Sequence, residues 1–128
     1  MPTPRAQSAR TTWNSRSASA AAATRTLLAL PAPPTALATG NNLATIGAMQ
    51  AIRAAGLRVP ADLALAGFDD FEWADCFEPR LTVVAQPCQE IGKRAAALLA
   101  ERINRSNGKT RSIRLKPSLI VRNSCGCP

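Results

Sequence analysis

At 128 residues, with 16 Lys and Arg against 8 Asp and Glu, the chain has the length of one ordinary domain and a formal charge of +8. It contains no histidine, which removes the commonest general base and the commonest metal ligand, and no apolar run approaches the length of a membrane span. The basic balance permits contact with nucleic acid or another acidic surface, but no dense cluster of Lys and Arg gives such contact a place.

In chain order, residues 1–34 are rich in Ala, Arg, Ser, Thr and Pro and carry no acid. They show neither a helical nor a strand period, so they read as a disordered, low-complexity or loosely helical leader. The run Ala20–Ala23 is only weakly apolar and Thr24-Arg25 interrupts it, which argues against a signal peptide. The character changes at Thr35. Thr35–Thr39 predicts a short buried strand, Gly40-Asn41-Asn42 punctuates it, and Asn41 or Asn42 is a good helix N-cap.

Leu43–Ala55 then predicts a helix, with Leu43, Ile46, Met49 and Ile52 or Ala55 at helical spacing, Gly56 at the left-handed C-terminal position and Pro60 beyond. Leu63–Phe68 is apolar throughout, as a strand covered on both faces is. Asp69–Pro79 reads as a long polar loop and Leu81–Ala85 as a third strand. Gln89–Ile103 is the clearest helix, with a stripe of Ile91, Ala95, Leu98, Leu99 and Ile103 and an i,i+4 pair of Glu90 and Arg94 on another face. Asn107-Gly108 marks a turn. Alternation of Ile113 with Leu115, and of Leu119 with Val121 after Pro117, predicts two short half-buried strands. The alternation of strands and helices means an α/β layer on a mainly parallel sheet.

In open sheets of this kind, ligands sit outside the carboxyl ends of the strands. Asn41 follows the first strand, and Phe68 and Asp69 end the second. If those strands are neighbours, Asn41 and Asp69 project into one crevice. A carboxylate accepts from adjacent hydroxyls, an amide donates and accepts, and a ring covers an apolar face, which suits a sugar or another polyhydroxylated or nucleoside-like molecule. Capping of the next turn is the competing role for Asp69-Asp70. Adjacent carboxylates usually point apart, and no nucleophile–base set or Gly-rich phosphate loop is present, so no catalytic residue is assigned. Cys125-x-Cys127 lacks the second pair that a metal site needs, so the four cysteines read as reduced thiols of a cytosolic protein, with no metal or cofactor.

Gly56-Leu57-Arg58-Val59-Pro60, Gly67-Phe68-Asp69-Asp70 and Pro79-Arg80-Leu81-Thr82 occur in that order, followed by the helix Gln89–Ile103 and the segment Leu115–Ser124. Over about residues 34–124 this series resembles the C-terminal part of the lactose-repressor/galactose-repressor (LacI/GalR) family of bacterial transcription regulators. The resemblance implies a partial periplasmic-binding-protein-like (type I) fold, in which two α/β lobes enclose an effector cleft and the chain crosses between lobes near Gln86 and near Leu115–Pro117. It places Asn41 and Asp69 at effector-binding positions, Phe68 on the wall and Gln86 at the hinge. Trp73, on the loop after Asp69, is added here as a ring that stacks on a sugar, with packing under its own loop as the alternative. Where the family usually has Asn-Asp, this chain has Asn41-Asn42.

The family's DNA-binding headpiece and most of its N-terminal lobe have no counterpart in residues 1–34. The expectation is therefore a shortened sensor domain over 35–124 with a tail at 125–128, cytoplasmic, not an enzyme, touching DNA only through a headpiece the sequence lacks. Two alternatives stand beside it: a module that dimerises with itself or a related regulator, and a stand-alone sugar-binding protein. An incomplete sheet of this kind is expected to leave apolar surface uncovered.

Overall fold

The computed structural model describes residues 17–104 and 110–127. In chain order the elements are α1 (Ser17–Leu28), β1 (Ala36–Ala38), α2 (Asn42–Ala54), β2 (Ala64–Phe68), β3 (Thr82–Ala85), α3 (Cys88–Asn104) and β4 (Ser118–Ile120), followed by one 3-10 turn, Asn123–Cys125. The four strands form one sheet in the order β1-β2-β3-β4. β1, β2 and β3 are parallel, and β4 runs antiparallel to β3, with Val84 opposite Leu119. This is the expected α/β architecture, and β1 and β2 are indeed neighbours.

The core lies between α2, the sheet and the loop after β2. Ala48, Met49 and Ile52 of α2 meet Leu63, Leu65, Leu81 and Val83, with Ala74 of the loop closing one side. β2 alternates: Leu65 and Gly67 are buried, whereas Ala64, Ala66 and Phe68 are only half-buried. The apolar run is thus covered on one face, not two. α2 comes close to the sheet at Gly67, where a Cβ would meet Thr45 Oγ1 at 2.9 Å. β1 is likewise no buried strand, because Ala36 and Ala38 are exposed at the sheet edge.

α2 starts at Asn41, whose side chain accepts from the Ala44 amide at 2.8 Å, and ends before Gly56 at φ 71°, as its capping residues predict. Its buried face is not the Leu43 stripe. Leu43 is exposed, and the small residues Ala44, Thr45, Gly47, Ala48 and Ala51 face inward with Met49 and Ile52. The reason is a second helix. α1 packs on α2 so closely that a Cβ on Gly47 would stand 2.1 Å from the Ser17 carbonyl oxygen. Ala20, Ala21, Thr24 and Leu27 are buried in that contact, with Thr24 Oγ1 donating to the Ala20 carbonyl at 2.8 Å.

Over residues 17–28 the expected low-complexity leader is therefore a docked helix. Alanine buries little area per residue, but it lets two backbones approach, and that dispersion contact replaces the large side chains that would show a helical period. Residues 1–16 and the Asn107-Gly108 turn lie outside the described residues.

The chain from Cys88 onward differs. α3 has the predicted span and the Glu90–Arg94 pair, at 2.7 Å, but none of its residues is buried. Ile113 and Leu115 form no strand; only the second expected strand, β4, is made. Beyond it the chain returns to the body. The Ser124 hydroxyl, fully buried, accepts from the Thr82 amide at 2.8 Å and donates to the Leu65 carbonyl at 2.7 Å, which joins β3 to β2.

Candidate effector site at the carboxyl end of the sheet

β2 ends at Phe68, and Asp69 follows with φ 73°. A non-glycine residue in the left-handed region is uncommon, and Asp tolerates it better than most. Here the conformation has a visible consequence. The Asp69 amide still donates to the Val84 carbonyl at 2.9 Å, while the carboxylate turns across the strand ends to accept from Gln86 Nε2 at 2.5 Å. Asp69 and Gln86 thus form one hydrogen-bonded pair over the carboxyl ends of β2 and β3. Asp69 is half-buried and Gln86 exposed, and each keeps acceptor capacity for a ligand.

A cavity of about 490 Å³ opens beside this pair. Phe68 and Gln86 line it from the sheet, Ile91, Arg94 and Leu98 from α3, and Ile113, Leu115 and Pro117 from the following segment. Apolar walls with a few convergent polar groups are the usual composition of a small-molecule site. Gln86-Pro87 and Leu115–Pro117, the two expected crossing points, both lie on its wall.

Of the five residues singled out from the sequence, the structure brings three together: Phe68, Asp69 and Gln86. Asn41 follows the neighbouring strand β1 by three residues, at the start of α2, and is not on the cavity wall. Its Oδ1 is occupied by the α2 cap, which leaves the amide nitrogen as its donor. Behind it the Thr45 hydroxyl donates to the Asn41 carbonyl at 2.9 Å and shares a 2.6 Å hydrogen bond with the Thr39 hydroxyl, which fixes the turn. Trp73 stands outside the cavity wall. Its side of the loop is exposed, and it meets Phe71 edge-to-face at 6.2 Å.

The other acids of that loop have a structural partner. Arg122, largely buried, donates to Asp70 at 3.0 Å and pairs with Asp75 at 2.7 Å, and the Asp70 hydrogen bond raises its affinity for the proton above the ordinary arginine value. Asp70 also accepts from the Phe71 amide at 3.1 Å. The paired aspartates therefore point to different partners: Asp70 accepts from the Phe71 amide and anchors Arg122, and Asp69 accepts from Gln86 across the strand ends. The loop is not polar throughout, because Phe71 and Phe77 pack edge-to-face at 6.0 Å above the buried Ala74.

Sequence reasoning missed Arg94 and Arg122. Arg94 shows a local signal, its spacing from Glu90, but that signal points to a solvated helix face and not to a cavity wall. Arg122 meets Asp70 across 52 positions, and no local pattern marks such a contact. Among the described residues no group of three or more His, Cys, Asp or Glu is arranged to hold a metal, and no helix is long and apolar enough to cross a membrane.

Residues 2–125 match the family model described as periplasmic binding protein-like domain. The ribose operon repressor of Haemophilus influenzae is 38% identical over 100 residues, covering 78% of this chain and 30% of that protein. Two similar solved structures carry sugars. A LacI family transcriptional regulator from Enterococcus faecium with bound ribose superposes with a TM-score of 0.74 at 28% identity, over 85% of this chain and 40% of the other. A complex of the transcriptional regulator CelR with cellobiose gives a TM-score of 0.78 at 35% identity, over 85% and 33%. The chain spans about a third of the length of these relatives. The match takes in Ser17–Leu28 as well as the sheet, so α1 is part of the family fold. The chain belongs to the periplasmic binding protein-like domain family, and its relatives are sensor-bearing repressors of the LacI type.

Proposed function

We propose that this chain is the effector-binding sensor portion of a LacI/GalR-type transcriptional regulator, and that its effector is a sugar or a similarly polyhydroxylated, nucleoside-like molecule. The observation that carries the reading is the Asp69–Gln86 pair at the carboxyl ends of parallel strands, beside a mainly apolar cavity. The Asp69 carboxylate accepts from ligand hydroxyls, Gln86 holds it in place and donates, Phe68 covers an apolar ring face, and the Asn41 amide donates from the neighbouring strand end. Trp73 is assigned the outer rim. Ribose and cellobiose bound to two structural relatives support the ligand class.

In this reading the molecule works by binding and not by catalysis. It acts in the cytoplasm as a dimer with its own kind or a related regulator, and it reaches DNA through a headpiece outside these residues. Calorimetry with a panel of pentoses, hexoses, disaccharides and nucleosides tests the ligand class. Saturable heat from a polyol, lost in Gln86→Ala, supports it; no heat from any member at millimolar concentration contradicts it. Sedimentation equilibrium, alone and with an intact regulator of the family, tests the dimer. Monomer at every concentration in both cases contradicts that part.

A further inference from the structure

The last described residues carry two thiols that the candidate effector site does not use. Cys125 closes the 3-10 turn, and Gly126 follows in the left-handed region at φ 69°. That reversal returns the Cys127 amide to donate to Cys125 Sγ at 3.3 Å, while the Cys125 thiol itself lies 3.5 Å from the Arg122 carbonyl oxygen. The turn is held from both sides. Asn123 and Ser124 donate their amides to the Arg80 carbonyl, and Gly126 lies against Pro60, where a Cβ would approach the ring at 3.3 Å. Cys127 is exposed and Cys125 half-buried, so a small reagent has access to both.

Thr82 completes the arrangement. Its hydroxyl oxygen accepts at 2.9 Å from the amide of Arg122, the residue just before Asn123 at the start of the turn that carries Cys125. Hydrogen bonds from Cys127 first, and Thr82 second, hold the Cys125 thiol below the usual thiol range, and the same bond to Cys125 holds Cys127 above it. A depressed nucleophile beside a second thiol is the arrangement that thiol–disulfide exchange requires.

We propose that Cys125 and Cys127 form a reversible dithiol–disulfide site that exchanges with low-molecular-weight disulfides of the glutathione type. The Cys125 thiolate attacks one sulfur of the oxidised reagent. A mixed disulfide forms, and the first thiolate leaves and takes a proton from water. Cys127, losing its proton to water, then attacks the Cys125 sulfur. The Cys125–Cys127 bond forms and the second reagent thiolate leaves. The protein loses two electrons and two protons, and one oxidised reagent becomes two thiols.

The test uses the full chain in mixtures of reduced and oxidised glutathione, quenched with acid, alkylated and digested with trypsin. Cleavage after Arg122 releases residues 123–128, which hold both cysteines and neither Cys76 nor Cys88. As the oxidised fraction rises, this peptide is expected to lose two hydrogens and to accept no alkyl group, and excess reduced glutathione should reverse the change. Cys127→Ser should stop the reaction at a glutathione adduct on Cys125. The proposal is overturned if the wild-type peptide stays fully alkylated at every ratio, or if it accumulates a stable glutathione adduct. It is equally overturned if Cys125 in Cys127→Ser reacts no faster than Cys76.

Discussion

α2 and α3 are similar amphipathic helices on paper and opposite in the molecule. α2 buries seven of its 13 residues, mostly small ones, between α1 and the sheet. α3 buries none of its 17 residues, although it carries the more regular apolar stripe, with Leu99 60% and Ile103 74% exposed. The difference teaches that a stripe reports which face a helix can bury, not whether anything covers it. Coverage comes from partners distant in sequence: Ser17 against Gly47, and Thr45 against Gly67.

The contrast can be broken by substitution. Ile52→Ala, in the centre of the core, should cost about 2–5 kcal/mol in denaturant unfolding, whereas its α3 counterpart Leu99→Gln should stay within about 0.5 kcal/mol. Equal losses would show that α3 is as well supported as α2. Gly47→Val should cost about 1–3 kcal/mol by overpacking against the α1 backbone. Arg25 of α1 should then become a faster tryptic site. Ser124→Ala should cost a similar ~1–3 kcal/mol, because the buried Thr82 amide and Leu65 carbonyl lose their shared partner.

The smallest effect concerns pH. Arg58 donates to both Asp62 oxygens, and this hydrogen bonding lowers the Asp62 carboxyl to about 2 from its ordinary 3.8. Because the folded value is the lower one, the pair's contribution is fully present above the ordinary value and is lost as pH falls toward 2. The pair is exposed, so Asp62→Asn should leave neutral stability nearly unchanged and slightly flatten the acid limb of a melting-temperature profile.

Much of this was legible in the sequence where the signal is local. The Asn41 cap, the Gly56 stop, β2, β3 and the span of α3 all follow from capping residues and short apolar runs. What was not legible depended on who stands opposite. α1 lacks an apolar period because its contact surface is alanine. The α2 stripe is displaced for the same reason. Ile113 and Leu115 alternate like a strand but pair with no strand among the described residues, and they line the cavity instead. At the site, Phe68, Asp69 and Gln86 could be named because each ends a strand. The division of labour between Asp69 and Asp70 could not, since it is set by Arg122 and by a positive φ.

That positive φ supplies the sharpest control on the central claim. Asp69→Gly removes the carboxylate while relieving the backbone, so it should fold at least as stably as the parent. The measurement is a two-dimensional amide NMR titration of both proteins with ribose and with cellobiose. A site at the strand ends requires saturable shifts for at least one sugar that cluster at Phe68, Asp69 and Gln86 in the parent and vanish in Asp69→Gly, with α1 silent in both. Shifts centred elsewhere, no shifts at saturating sugar, or an unchanged response in Asp69→Gly would contradict it.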